Sequence, residues 1–476
     1  MKKAQSITEF VKEVKKESIS VTEHTEKIIE EAEKSNSQFH HFNLIAKKSA
    51  LQHAKEIDAG IKTGQHKGKL LGVPISVKDC ICVKDFESRA GSKILSGYLP
   101  LFDATAIAKA KAEGAIIIGK TAQDEFGFGT FSNNVGVDFE KPLNPLDPKR
   151  CCGGSSGGSA GFTALTSLTH ASLGQSTGGS IAAPASFCGV AGLTPTYGRV
   201  SRYGFIDYAS SMDKIGVMSK KIRKCAEVLE IISGKDDKDA TCIDMPKGFV
   251  DYLGKDCSNL RVGIIKQGFN KGVDTKIVKC VKDAIKKLGL NTKEVDLSFI
   301  SKYSLPVYYL LAMTEASTNL AKLCGLRYGV EEDNNMLYND YFTKIRSDNF
   351  NQESKRRIII GTFARMAGFR NAYYLKAAKI RTLIINKYKE LFKEFDVLIC
   401  PTMPIIAPTF EEAKKLTPLQ NYMMDILTVG PNLAGLPHLN VPCGFVNKMP
   451  VGMLFIADHF NEKVLIQLGD YYENRT

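Results

Sequence analysis

The sequence predicts an α/β protein, and three stretches carry that expectation. Leu71-Gly72-Val73-Pro74-Ile75-Ser76-Val77-Lys78-Asp79 reads as a strand running into a loop. Between Asp103 and Lys120 a helical pattern through Ala106, Ile107, Ala110 and Ala112 passes by way of Gly114 into the apolar strand Ala115-Ile116-Ile117-Ile118. Ala160, Phe162, Ala164 and Leu165 then suit a buried helix, and Leu168 to Leu173 a short strand that ends at Gly174. Strands alternating with helices in this way build a sheet covered by helices.

The length of 476 residues allows two or three domains, or one large α/β domain with insertions. A hydrophobic share of 43% with 24% charged residues describes a soluble globular chain, and no apolar run reaches the roughly 18 residues that a membrane span needs. Met1-Lys2-Lys3-Ala4-Gln5-Ser6 leads into a charged helix without the apolar core of a signal peptide or the arginine-rich pattern of a transit peptide, so the expected compartment is the cytoplasm. The net charge of +13 raises the question of nucleic-acid binding, but the lysines are dispersed among glutamates, as at Glu30, Glu31, Glu33 and Lys34. The 12 cysteines include no C-x-x-C pair, and Cys80/Cys82 and Cys151-Cys152 lack zinc-ligand spacing. Structural thiols and no metal are expected.

Ser20-Val21-Thr22-Glu23 fits a capping box, and Val21, Ile28, Ile29 and Ala32 continue at helical spacing to about Lys34. A second helix is expected from Ala46 to Ile61, ending near Gly64. Residues 1–66 thus read as a helical layer packed on a main body of 67–476.

In the strand that follows, Ile75 and Val77 share one face, and Ser76 and Lys78 the other. Lys78 would stand at the end of a buried strand with Asp79 turned away. A lysine in apolar surroundings loses hydration, its pKa falls, and the ammonium becomes a base; a solvent-facing side chain is the plainer alternative. Downstream, Gly114-Ala115-Ile116-Ile117-Ile118-Gly119-Lys120-Thr121 satisfies the phosphate-loop string. Its intervening residues are themselves the apolar strand, whereas a phosphate loop wraps its anion after the strand has ended. That reading is set aside.

Two glycine-serine clusters follow, Gly153-Gly154-Ser155-Ser156-Gly157-Gly158-Ser159 and Thr177-Gly178-Gly179-Ser180. Composition alone suits a flexible linker. The apolar segment between them does not, and glycine N–H groups beside serine hydroxyls suit a nucleophile with an oxyanion pocket. Ile181-Ala182-Ala183-Pro184-Ala185 looks like a helix start, which puts Ser180 at its N-terminus. His170 falls in a buried element and suggests no Ser-His pairing, so Lys78 is the leading base for a serine nucleophile.

These residues resemble the amidase signature family. Both clusters match its signature and Val77-Lys78-Asp79 its lysine segment. Gly119-Lys120-Thr121-Ala122-Gln123-Asp124-Glu125-Phe126, Pro195-Thr196-Tyr197-Gly198-Arg199-Val200-Ser201-Arg202-Tyr203-Gly204, Lys355-Arg356-Arg357-Ile358 and Asn432-Leu433-Ala434-Gly435-Leu436-Pro437 are similar to that family's tRNA-dependent branch, the A subunits of aminoacyl-tRNA amidotransferases. The resemblance implies a mixed central β-sheet flanked by helices, with a helical insertion at 235–395. It implies a triad in which Ser180 attacks the carboxamide of glutamine, Ser155 relays the proton and neutral Lys78 is the terminal base. Backbone N–H groups of Thr177, Gly178, Gly179 and Ser180 would hold the oxyanion.

For the rest of the glutamine it implies Arg357 on the α-carboxylate, Asp425 on the ammonium and Tyr309 as a third contact. Arg356 is an adjacent alternative for the carboxylate, and Ser156 for the relay. Where many relatives have an aspartate and an arginine around the nucleophile, this chain has Ser176 and Ala182, a coupled replacement that leaves no buried charge unpaired. Gly452-Met453-Leu454 stands where the family often has Gly-Leu-Gln. The implied activity is glutaminase, with no cofactor in this chain. The ammonia would pass to a partner B subunit that binds mischarged tRNA, Glu-tRNA(Gln) or Asp-tRNA(Asn), and uses ATP and magnesium. A small C subunit would wrap the interface, with no membrane involved. A stand-alone amidase acting on another small amide is the rival reading.

Overall fold

The computed structural model describes residues 6–63, 67–270, 272–333 and 335–475. The first five residues, the helix end expected near Gly64 and the boundary at 66 lie outside them. Strands β1 (Phe42–Ile45), β2 (Pro74–Lys78), β3 (Ile116–Thr121), β4 (Ala171–Ser176), β5 (Ala191–Thr194) and β6 (Lys214–Ser219) are joined by β7 (Val262–Ile265), β8 (Thr292–Val295), β9 (Val397–Pro401), β10 (His438–Val446) and β11 (Met449–Ile456). They form one 11-stranded sheet in the order β1-β3-β2-β4-β6-β5-β10-β11-β9-β7-β8. The sheet is mixed. β2 runs parallel to both β3 and β4, the strands from β4 through β9 pair antiparallel, and β9, β7 and β8 are parallel again.

Every residue of β2, β3 and β4 is buried, because helices cover both faces. That is why Ile116-Ile117-Ile118 reads as an unbroken apolar run. The phosphate-loop lysine proves to be part of this strand: Lys120 is wholly buried, donates to the Asp79 carbonyl at 3.1 Å and lies 3.7 Å from the Asp79 carboxylate.

The parallel register sets Val77 beside Leu173. The C-terminal ends of β2 and β4 therefore open at the same edge. Lys78 ends β2, and the loop Thr177–Ile181 leaves β4, so the lysine and the second glycine-serine cluster share that edge. The first cluster arrives by another route. A short antiparallel hairpin (Leu143–Asn144 with Asp147–Cys151) delivers it to the helix Gly157–Leu165, which packs on β4 and β6.

The N-terminal helices Ile7–Lys15, Val21–Phe39 and Lys47–Lys62 lie against this body. The capping box expected at Ser20 forms by half. Ser20 Oγ accepts from Glu23 N–H, but Asp58 of the next helix takes the N–H groups of Val21 and Thr22, both at 2.9 Å. Glu227 likewise accepts from the N–H groups of Ile7 and Thr8, tying the first helix to the helix Ile222–Ile232. Residues 235–395 are not wholly helical, since they supply β7 and β8 to one end of the sheet beside the helices Thr275–Leu288, Ser298–Asn319, Gln352–Arg365 and Lys376–Glu394. Among the described residues no helix is long and apolar enough to cross a membrane.

Candidate active site

Lys78 is fully buried, and its amine faces the first cluster. Nζ lies 2.6 Å from Ser155 Oγ, 2.9 Å from Gln175 Oε1 and 3.3 Å from the Gln175 carbonyl. Burial lowers its pKa to about 8, against weaker opposing pulls from Cys80, Asp124 and Asp213. The strand alternation places Asp79 elsewhere, as expected: its carboxylate accepts from Asn43 Nδ2 and from Gly91 N–H.

Of the two adjacent serines, only Ser155 meets the lysine. Ser156 Oγ donates to the Gln175 carbonyl at 3.1 Å and so fastens the cluster to β4. The backbone reaches this geometry because Gly154 and Gly158 have no side chains. A Cβ on Gly154 would stand 2.1 Å from Asp124 Oδ2, and one on Gly158 2.3 Å from the His41 carbonyl. Asp124 in turn receives the N–H groups of Ser132 and Asn134 at 3.1 and 2.8 Å, while burial pushes its pKa up to about 6.

Ser180 follows β4 at the turn into the short helix Ala182–Cys188. It keeps 7% of its surface open, whereas Lys78 and Ser155 keep none. Among the described residues no protein acceptor takes the N–H of Gly178, Gly179 or Ser180. Gly179 has φ +153, and a Cβ there would meet Thr428 Oγ1 at 2.3 Å; one on Gly178 would meet the Tyr308 ring at 2.4 Å. His170 is spent elsewhere. Its Nε2 shares a 3.0 Å hydrogen bond with Ser76 Oγ, and burial lowers its pKa to about 3.

Arg357, Tyr309 and Asp425 form a second group beside that loop. The Tyr309 hydroxyl donates to Asp425 Oδ2 at 2.6 Å and Thr130 Oγ1 donates to Oδ1 at 2.9 Å. The Arg357 guanidinium lies 5.0 to 5.6 Å from the ring centres of Phe128, Tyr208, Tyr309 and Tyr422. It donates to Glu353 Oε1 at 2.8 Å and to the Tyr208 hydroxyl. Arg356 points outward, with 40% of its side chain exposed and Glu353 as its partner. Burial raises Asp425 to about 6, against its hydrogen bonds and the Arg357 charge.

The two groups touch through the turn at Asp425–Thr428. Thr428 Oγ1 donates to the Asp425 carbonyl at 3.2 Å and stands over Gly179. Tyr308, which no sequence motif marks, covers Gly178 and packs edge-on against Tyr309. Gln175 and Asp213 are two further residues at this site that no motif flagged. The replacement at Ser176 is satisfied without charge, since its hydroxyl donates to Asn432 Oδ1 at 3.2 Å. The arrangement offers a reachable hydroxyl with free N–H donors beside it and a buried hydroxyl-amine pair. A cation and a carboxylate stand next to it on an aromatic floor. Those are the parts for acyl transfer from a zwitterionic amide. Among the described residues no group of three or more His, Cys, Asp or Glu is placed to hold a metal ion.

The Amidase family profile matches residues 23–466. The chain is similar to the A subunit of glutamyl-tRNA(Gln) amidotransferase from Heliobacterium modesticaldum, 43% identical over 91% of this chain and 89% of that protein. It is similar to the protein of the same name from Geobacillus kaustophilus, 40% identical over 99% of this chain and 97% of that protein. The crystal structure of the corresponding glutamyl-tRNA(Gln) amidotransferase protein from Thermotoga maritima superposes with a TM-score of 0.76 at 32% identity, covering 94% of this chain and 93% of that one.

Proposed function

The chain belongs to the amidase family, and on that premise we propose that it is the glutamine-hydrolysing subunit of a tRNA-dependent amidotransferase. The observation that carries the chemistry is the 2.6 Å contact between Lys78 Nζ and Ser155 Oγ at the strand edge that also bears Ser180. Lysine near pKa 8 is partly neutral at physiological pH and accepts a proton.

Ser180 Oγ attacks the side-chain carboxamide carbon of glutamine. Its proton passes to Ser155 Oγ as the Ser155 proton passes to Lys78 Nζ. The tetrahedral oxyanion takes the N–H groups of Thr177, Gly178, Gly179 and Ser180, each such donor typically lowering the barrier by ~3 kcal/mol. The proton returns from Lys78 through Ser155 to the amide nitrogen, the C–N bond breaks and ammonia leaves. Water, deprotonated along the same path, then releases glutamate from the Ser180 ester. Arg357 takes the α-carboxylate and Asp425 the α-ammonium, with Tyr309, whose hydroxyl also holds Asp425, as a third contact.

The ammonia goes to partner proteins. The B subunit binds the mischarged tRNA, Glu-tRNA(Gln) or Asp-tRNA(Asn), and activates its carboxylate with ATP and magnesium. The C subunit secures the interface, and the assembly works in the cytoplasm. Ammonia release from glutamine, measured on the chain alone and on the complex with B and C subunits, tests this reading. Turnover that rises on assembly and vanishes in Ser180→Ala supports it. Full partner-independent turnover of an unrelated amide would overturn it.

A further inference from the structure

A neutral lysine amine has two N–H bonds and one lone pair. For Lys78 to act as a base toward Ser155, both N–H bonds must be engaged elsewhere, or the lone pair turns away from the hydroxyl. Gln175 supplies two acceptors, Oε1 at 2.9 Å and its own carbonyl at 3.3 Å, and neither oxygen can donate. Ser155 Oγ occupies the remaining direction.

An amide presents its oxygen only if something holds its NH2 end. Gln175 Nε2 donates to Thr177 Oγ1 and to Asp213 Oδ1 at 3.1 Å. Asp213 is itself fixed: Oδ1 also accepts from Thr177 Oγ1 at 2.6 Å, and Oδ2 from the N–H groups of Tyr208 and Ala209, each at 2.9 Å. Rotating the amide by half a turn would set NH2 hydrogens against the amine and an oxygen against the carboxylate. Gln175 and Asp213 are each 1% exposed, so water offers no substitute partner. Gly127 leaves room for the arrangement, since a Cβ there would stand 3.3 Å from both Ser155 Oγ and Gln175 Oε1.

We infer that Gln175, held in one amide orientation by Asp213 and Thr177, is the positioning residue that aims the Lys78 amine at Ser155. The inference rests on the Ser180–Ser155–Lys78 reading above and deepens it. The other titratable groups facing Lys78 are Cys80, whose thiol burial pushes up to about 12 and so keeps neutral, Asp124, pushed up to about 6, and Asp213, pushed up to about 8, so a carboxylate at 175 brings an anion against the amine and favours protonated lysine.

The test compares Gln175→Glu and Gln175→Met with wild type in the assembled complex, reading kcat and KM for glutamine hydrolysis across pH. Gln175→Glu is expected to move the rising limb of the profile up by about one pH unit. Gln175→Met, of similar volume, is expected to lose about 100-fold in kcat while KM stays within about twofold, as for a misplaced catalytic group. Should the methionine variant fail to fold, the limb of the near-isosteric glutamate variant decides. If Gln175→Glu keeps the wild-type limb and kcat while Lys78→Ala is inactive, the positioning role of Gln175 is overturned and the triad stands. If Lys78→Ala remains active, the triad falls and this inference with it.

Discussion

Lys78 Nζ stands 2.6 Å from Ser155 Oγ, with both side chains wholly buried, while Ser156 spends its hydroxyl on the backbone of the neighbouring strand. The two serines are neighbours in sequence and differ in task. Ser155→Ala should lower kcat for glutamine hydrolysis by about 10²- to 10⁴-fold, the range for losing a positioned proton-transfer group. Ser156→Ala should keep most of the activity and lose on the order of 1 kcal/mol of stability. Steady-state kinetics with denaturant melts separates the two, and equal kinetic damage would count against the assignment.

On the proposed mechanism the acid limb of the pH profile belongs to Lys78: its amine would work neutral, and protonation below about pH 8 would remove the base. Activity should therefore rise between about pH 7 and 9 rather than fall, the protonated fraction decreasing tenfold per pH unit above the pKa. A profile flat from pH 6 to 9 contradicts a lysine base.

Arg357 and Arg356 should separate by KM. Arg357 lies among four aromatic rings beside Asp425, and Arg356 faces outward. Arg357→Lys keeps the charge but loses the fork, and should raise the KM for glutamine by about tenfold or more. Arg356→Ala should change it by less than about twofold. The reverse ranking would move the carboxylate site to Arg356.

Asp425 gives a second pH signature. Burial raises its pKa to about 6, so it is charged above that pH and neutral below. Calorimetric titration of glutamine into Ser180→Ala protein should show affinity falling as pH drops through about 6. Asp425→Asn should be weak at every pH, losing roughly 1.5–3 kcal/mol with the charged hydrogen bond. An affinity independent of pH from 5 to 8 would remove Asp425 from ammonium recognition.

Part of the local geometry was legible in the sequence, whereas the triad and the glutamine contacts were implied only by the family resemblance. Period-two alternation put Lys78 and Asp79 on opposite sides. The glycines at 154, 158, 178 and 179 announce close approach, and the structure supplies what approaches: Asp124, the His41 carbonyl, Tyr308 and Thr428. The phosphate-loop string could be dismissed because an apolar run belongs inside a sheet, where Lys120 in fact lies. What stayed hidden depends on long-range pairing. Asp213 reaches Gln175 only because β4 and β6 lie antiparallel, with Ser176 opposite Lys214. Tyr308 covers Gly178 from a helix whose pattern advertises only a core. The half-formed cap at Ser20 also depends on a distant partner, since Asp58 of another helix takes the N–H groups of Val21 and Thr22.

The most direct test asks which atom carries the acyl group. The complex is mixed with glutamine, quenched in acid within one turnover, digested and analysed by mass spectrometry. A glutamyl ester is expected on the peptide containing Ser180, and it should be absent from Ser180→Ala and Lys78→Ala proteins. Ammonia release at the normal rate with the ester on another residue, or with Ser180→Ala still active, would contradict the assignment of Ser180 as nucleophile.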